Sequence, residues 1–131
     1  MRLSAKSLKN VENLNTFAYT NQWTVRQDGM SGEEQSIYFQ LVDLDKDGIR
    51  YMPQASATVK VTFPELDETT AVVKTASNPF ADDRSIFKID LTVSDVIASG
   101  NVIFEITEGG KVKKFSVTNM VTVELLNAGG C

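Results

Sequence analysis

The stretch "SATVKVTFP", residues 56–64, decides the fold class. Ala57, Val59, Val61 and Phe63 alternate with Thr58, Lys60 and Thr62. A period of two places alternate side chains on opposite faces of an extended chain, so the stretch reads as a strand with one buried face. Pro64 ends it, because proline has no N–H to give to a ladder. The same period recurs on both sides. "SIYFQLV" turns Ile37, Phe39 and Leu41 inward, "RSIFKIDLTV" does so with Phe87, Ile89 and Leu91, and "NVIFEIT" with Val102, Phe104 and Ile106. "TTAVVKTAS" is a weaker strand, "KVKKFSV" and "MVTVELL" are two more, and "TFAYTNQWTVR" reads as an early one.

The joints are punctuated by turn residues. Gly109-Gly110 lies between two alternating runs and marks a tight hairpin, since such a turn needs positive φ. In "TVSDVIASG" the alternation breaks; Ser94 or Asp95 is placed to cap one helical turn and Gly100 to end it. "RQDGMSGEEQ" is a polar loop. Strands at short, regular spacing with no long helix after Asn15 predict an all-β fold. An antiparallel immunoglobulin-like β-sandwich with an N-terminal arm or short helix is expected, and a small barrel is the alternative. The expected organisation is one domain: residues 1–30 as N-terminal arm and first strand, 31–126 as sandwich core, 127–131 as C-terminal tail.

The two ends raise the question of partners. Leu8, Val11 and Leu14 stand three apart, the spacing of a short amphipathic helix or of an arm, packed on its own domain or on a neighbouring subunit. Trp23 belongs to a core or to a contact surface, where tryptophan is enriched. Cys131 is the one cysteine, at the end of "NAGGC". It is either a lone terminal thiol on a flexible leash or half of an interchain disulfide. Leu8, Val11, Trp23 and Cys131 are therefore the candidate interface residues.

Composition narrows the function classes. The chain has 131 residues, 42% hydrophobic and 23% charged, which suits a globular domain with its own core. No apolar run nears the ~20 residues that span a bilayer, and no apolar segment follows Arg2 as in a secretory signal. A complete product starting at Met1 is expected. The formal net charge is −4, and nucleic-acid binding, which needs clustered Lys and Arg, is not expected. With no histidine, Ser-His-Asp and Cys-His systems and histidine metal sites cannot be built. One thiolate makes no structural zinc site.

"LVDLDKDGIRYMPQ", residues 41–54, imitates a calcium loop. Asp43, Asp45, Asp47 and Gly48 match the start of an EF-hand. The twelfth position is Gln54 instead of a bidentate Glu, Arg50 stands where an apolar residue is usual, and strands instead of helices flank it. The reading is a turn in which Asp side chains bond nearby amides and Gly48 supplies a left-handed residue, with a weak calcium site as the alternative. The carboxylates Glu65, Asp67, Glu68, Asp82, Asp83, Asp90, Asp95, Glu105 and Glu108 fall mostly at loops and outward strand positions, as a solvated surface would have them. A glycosidase would need two of them at a set separation across a cleft. Lys111, Lys113 and Lys114 beside Phe115 read as lysines that protect an edge strand.

The stretch from Ser36 to Glu124 resembles the immunoglobulin-like N-terminal domain of phage upper-baseplate proteins. The resemblance rests on "IYFQLVDLDKDG", "ATVKVTF", "SIFKIDLTVSDVIASGNVIFEIT", "EGGK" and "KFSVTNMVTVE", with Leu91, Thr92, Asp95 and Gly100 at the matching places of one motif. It covers about two thirds of the chain. An additional N-terminal segment sets this chain apart, and no long fibrous C-terminal region is expected in it. The resemblance implies no catalytic residues. It leads to the expectation of a non-enzymatic subunit of a tailed phage virion, in tail, baseplate, collar or capsid decoration. Its partners would be other virion proteins and copies of itself, with no cofactor, nucleic acid or membrane. A carbohydrate- or receptor-binding module, with Trp23, Tyr38 and Tyr51 as candidate aromatics, is the second reading, and a carboxylate hydrolase the third.

Overall fold

The computed structural model describes residues 1–9, 11, 17–26, 35–65, 71–92, 95 and 97–124. Among these residues the regular elements are ten strands and one turn of 3-10 helix. The strands are β1 (Leu3–Lys9), β2 (Ala18–Thr20), β3 (Trp23–Arg26), β4 (Gln35–Asp43), β5 (Ile49–Arg50), β6 (Thr58–Thr62), β7 (Val73–Ala76), β8 (Ile86–Leu91), β9 (Gly100–Glu108) and β10 (Lys111–Glu124). They form two five-stranded sheets. In the first, the order is β2-β1-β4, and the far edge of β4 is shared by β8 along Gln35–Gln40 and by β5 along Val42–Asp43. In the second the order is β3-β10-β9-β6-β7, all antiparallel except the parallel pair β3–β10.

The alternating residues drive this arrangement. Phe39, Leu41, Ile89 and Leu91 from the first sheet meet Val59, Val61, Phe104 and Ile106 from the second in one core, each at 1% exposure or less. Burying a side chain of this size contributes about 1.5–3 kcal/mol. Trp23 ties the sheets together. Its ring lies 6.0 Å from Phe39 and 6.2 Å from Phe104, and its indole N–H donates to the Tyr38 carbonyl at 2.7 Å. The hairpin at Gly109-Gly110 forms as its letters predict, with φ of 59° and 78°.

The two sides of the fold differ. On one, the chain crosses from β7 to β8, and Ser77 and Lys88 exchange both backbone hydrogen bonds at 3.0 and 2.7 Å. Asn78 Nδ2 adds bonds to the carbonyls of Ile86 and Arg84. On the other side β1 approaches β10. There β10 pairs with β9 from Lys111 to Val117 and again at Val121, while β3 takes only Val121–Glu124 on the opposite edge. Between the two stretches lies a bulge at Asn119, φ 54°, whose N–H donates to Asn101 Oδ1 at 2.9 Å.

Four expectations are corrected. The segment around Leu8 is strand β1, paired with β4 from Leu3 to Leu8, instead of a helix, and it packs on its own domain, one of the two placements expected. "TFAYTNQWTVR" is two strands, since the chain leaves the first sheet after Thr20 and enters the second at Trp23. "KVKKFSV" and "MVTVELL" are one bulged strand, β10. Asp95 caps no helical turn among the described residues. Its carboxylate accepts from the Thr92 N–H three residues upstream and pairs with Lys74 Nζ at 2.7 Å. Ser94, Leu14, the loop after Arg26 and the tail ending in Cys131 lie outside the described residues.

Candidate functional site

The aspartate-rich loop is a turn held by its own carboxylates. Asp43, at the end of β4, is 4% exposed, and its Oδ1 accepts from the N–H groups of Asp45 at 3.0 Å and Arg2 at 3.2 Å. Asp45 faces the Met1 amine at 3.3 Å. Asp47 and Gly48 take positive φ, 57° and 73°, and the Gly48 N–H donates to the Asp43 carbonyl. These bonds are the ones a short aspartate side chain makes in a turn. Among the described residues no three metal-ligating side chains converge.

A different constellation forms beside that turn. Tyr19 Oη donates to Gln40 Oε1 at 2.6 Å, Gln40 Nε2 donates to Ser85 Oγ at 3.2 Å, and Ser85 Oγ donates to Asp83 Oδ1. Asp83 Oδ2 then accepts from Arg50 Nη1 at 2.9 Å. Gln40, Asp83 and Ser85 are 4%, 4% and 0% exposed. Buried polar groups destabilise unless partnered, and among the described residues every buried side-chain N and O has a partner. The register explains the meeting. Gln40 stands opposite Ile86, at the start of β8, and Val42 opposite Arg50 on the same edge. The relay forms part of the wall of an open groove of about 600 Å³, which Tyr19, Phe17, Ile49 and Asp82 also line.

A second polar cluster fastens residues 51–54 to the β9–β10 hairpin. Glu108 accepts from Tyr51 Oη and from the Gln54 N–H, and Lys113 Nζ lies 3.7 Å from its Oε1 and 5.5 Å from the Tyr51 ring centroid. Burial, aided by the bond to Glu108 and its charge, pushes the Tyr51 phenol up to about 12. For Glu108, burial is the largest influence and pushes upward. The bonds from Tyr51 and Gln54 and the charge of Lys113 outweigh it and hold the carboxyl below its ordinary value. At Asp95, burial again pushes upward and the contacts with Lys74 and Thr92 prevail, so its carboxyl also sits low. The view of the carboxylates as solvated surface is thus corrected for Asp83, Asp95 and Glu108, which are partly or fully buried and bonded. Asp67 and Glu68 lie outside the described residues.

The candidate interface residues separate into two groups. Leu8 and Trp23 are 4% and 3% exposed, so most of their surface is spent on the protein's own interior. Together with half-buried Val11 they line one groove of about 340 Å³ with Ile37 and Tyr38. The placement of Cys131 lies outside the described residues. The aromatics Trp23, Tyr38 and Tyr51 form no common face. Trp23 and Tyr38 belong to this groove, and Tyr51 is bonded to Glu108. Among the described residues the exposed aromatic is Tyr19, at 54%. Sequence reasoning missed it because its hydrogen-bond partner, Gln40, comes from β4, distant in sequence. No protein-family model matches this chain, and no curated protein matches it.

Proposed function

We propose that this chain is a non-enzymatic, immunoglobulin-like β-sandwich subunit of a tailed phage virion, acting by protein–protein contacts within a symmetric assembly. The strand order supports the immunoglobulin-like part. Placed side by side, β1-β4-β8 and β10-β9-β6-β7 follow the A-B-E and G-F-C-C′ succession of such domains. The virion part rests on the resemblance of Ser36–Glu124 to baseplate domains. The virion is accordingly the proposed location, and other virion proteins and further copies of the chain the proposed partners.

The observation that carries the contact function is the edge of β10. The hairpin register pairs Glu108 with Lys111, so residues 111, 113, 115 and 117 direct their backbone bonds to β9. The N–H and C=O groups of Val112, Lys114 and Ser116 then point away from the sheet. No described strand pairs with them. An edge of this kind accepts a strand from a neighbour. Exposed Lys111 and Lys114 oppose casual pairing and favour an acidic incoming strand. Repetition of one modest contact around a symmetry axis multiplies its strength.

The test is proteomic analysis of purified particles from the source, together with light scattering of the isolated chain. The proposal expects the chain in the particle fraction at a fixed ratio to the other subunits. Its confinement to the fraction free of particles would overturn the virion reading.

A further inference from the structure

We infer that the groove between Tyr19 on β2, Ile49–Arg50 on β5 and the Asp82–Asp83 loop is a binding site for a neutral saccharide. Its volume, about 600 Å³, lies within the ~300–1,000 Å³ of small-ligand sites. The inference is independent of the assembly proposal and concerns another face of the molecule.

Three features select the ligand class. The first is donors and acceptors side by side. Arg50 spends Nη1 on Asp83, and a guanidinium has five N–H donors. Among the described residues its other donors have no hydrogen-bond partner. Asp82 is exposed and likewise makes no hydrogen bond or ion pair with a described residue. A fixed donor fork next to a free carboxylate matches adjacent hydroxyls, each of which both donates and accepts.

The second feature is an aromatic surface beside those polar groups. Tyr19 is 54% exposed, and the Phe17 ring meets it edge to face at 5.8 Å. Ile49, 61% exposed, extends the apolar surface across the groove. A sugar ring presents an apolar C–H face and a polar rim, and this wall offers both counterparts. The third feature is charge. Of the lining residues Arg50 offsets one of Asp82 and Asp83, and Lys6, beside the groove with its Nζ 5.2 Å from the Tyr19 ring centroid, offsets the other. The groove therefore gives no net preference for an anion or a cation.

The relay makes the site rigid before any ligand arrives. Tyr19 and Arg50 stand on opposite walls, joined through Gln40, Ser85 and Asp83 by consecutive hydrogen bonds. Binding then loses little side-chain freedom. Such a buried chain gives the groove a fixed shape that a surface of independent side chains lacks.

The experiment is an amide NMR titration of the full chain with glucose, galactose, mannose and N-acetylglucosamine, with glutamate and inorganic phosphate as charged controls. At least one sugar is expected to shift the amides of Tyr19, Ile49, Arg50 and Asp83. Asp82→Ala, an exposed change that leaves the rest of the spectrum in place, and Tyr19→Ala should each weaken that binding about tenfold, one missing contact's worth. The inference is overturned if all four sugars leave these amides unmoved or shift amides elsewhere. Unchanged binding in both variants overturns it too, as does tighter binding of glutamate or phosphate than of any sugar.

Discussion

The two sides of this fold solve the same problem in opposite ways. Where β7 passes to β8, the sheets are sewn together by backbone bonds between Ser77 and Lys88 and by the Asn78 side chain. Where β1 approaches β10, side chains close the gap. Val117 and Met120 face Ala5 and Ser7 across a groove, and the β10 edge from Lys111 to Val117 takes no strand among the described residues. The first side spends part of its edge backbone groups internally, in the Ser77–Lys88 bridge and at the Ile86 and Arg84 carbonyls. The second leaves the outward groups of Val112, Lys114 and Ser116 without a strand among the described residues, and the proposed assembly would use them.

The largest expected effect removes what both sides share. Phe104 is fully buried, stacks on Phe115 of β10 at 5.1 Å and touches Phe39 at 5.0 Å. Phe104→Ala should lower unfolding stability by about 3–5 kcal/mol, read from denaturant midpoints. A loss below about 1 kcal/mol would mean that the sheets do not share this core.

Proline substitutions sharpen the contrast along β10 itself. Val117→Pro deletes a bond to β9 and should cost about 3 kcal/mol. On the closed side, Asn78→Ala removes two hydrogen bonds at a largely exposed position and should cost about 1 kcal/mol. Ser116→Pro deletes only an outward N–H and should cost less than about 1 kcal/mol while abolishing assembly, as edge-strand proline does. Equal losses for the two proline variants would refute the register assigned to this edge.

The smallest effects are those of pH. Glu108 and Asp95 have folded-state pKa values below their ordinary 4.5 and 3.8. Their contribution is complete above those values and is lost as pH falls through the lower folded ones. Tyr51 runs the other way. Its phenol is raised from 10.0 to about 12, so its contribution is complete below pH 10 and is lost as pH rises from there toward 12. Thermal melts across pH should show both slopes. Glu108→Gln should make the alkaline one shallower without removing it, because the charge beside Tyr51 is lost while its burial, the largest cause of the raised value, stays.

How much of this was legible in the letters depended on contrast between neighbours. Val59-Lys60-Val61 and Val102–Ile106 alternate cleanly, and β6 and β9 stand where they were expected. Strand β1 was not legible. Its buried positions are Ala5, Ser7 and Leu8, weakly apolar, and the three-residue spacing of Leu8, Val11 and Leu14 imitated a helix. The split at Asn21-Gln22 had no proline or glycine to announce it. The turn reading of Asp43–Gly48 followed from local chemistry alone, since the key acceptor and its donors lie close in sequence apart from Arg2. The Tyr19–Gln40–Ser85–Asp83–Arg50 relay was invisible, because its members meet only through the pairing of β4 with β8 and β5 on one edge and with β1, which carries β2, on the other.

The most direct measurement of the central claim is amide hydrogen exchange at Val112, Lys114 and Ser116, in the isolated chain and in the assembly recovered from its source. The account predicts rapid exchange at these three amides in the isolated chain, slow exchange at Lys113, Phe115 and Val117, and strong protection of all six in the assembly. Exchange at Val112, Lys114 and Ser116 that stays equally fast in the assembly would contradict it, because the β10 edge would then be left open where the contacts form.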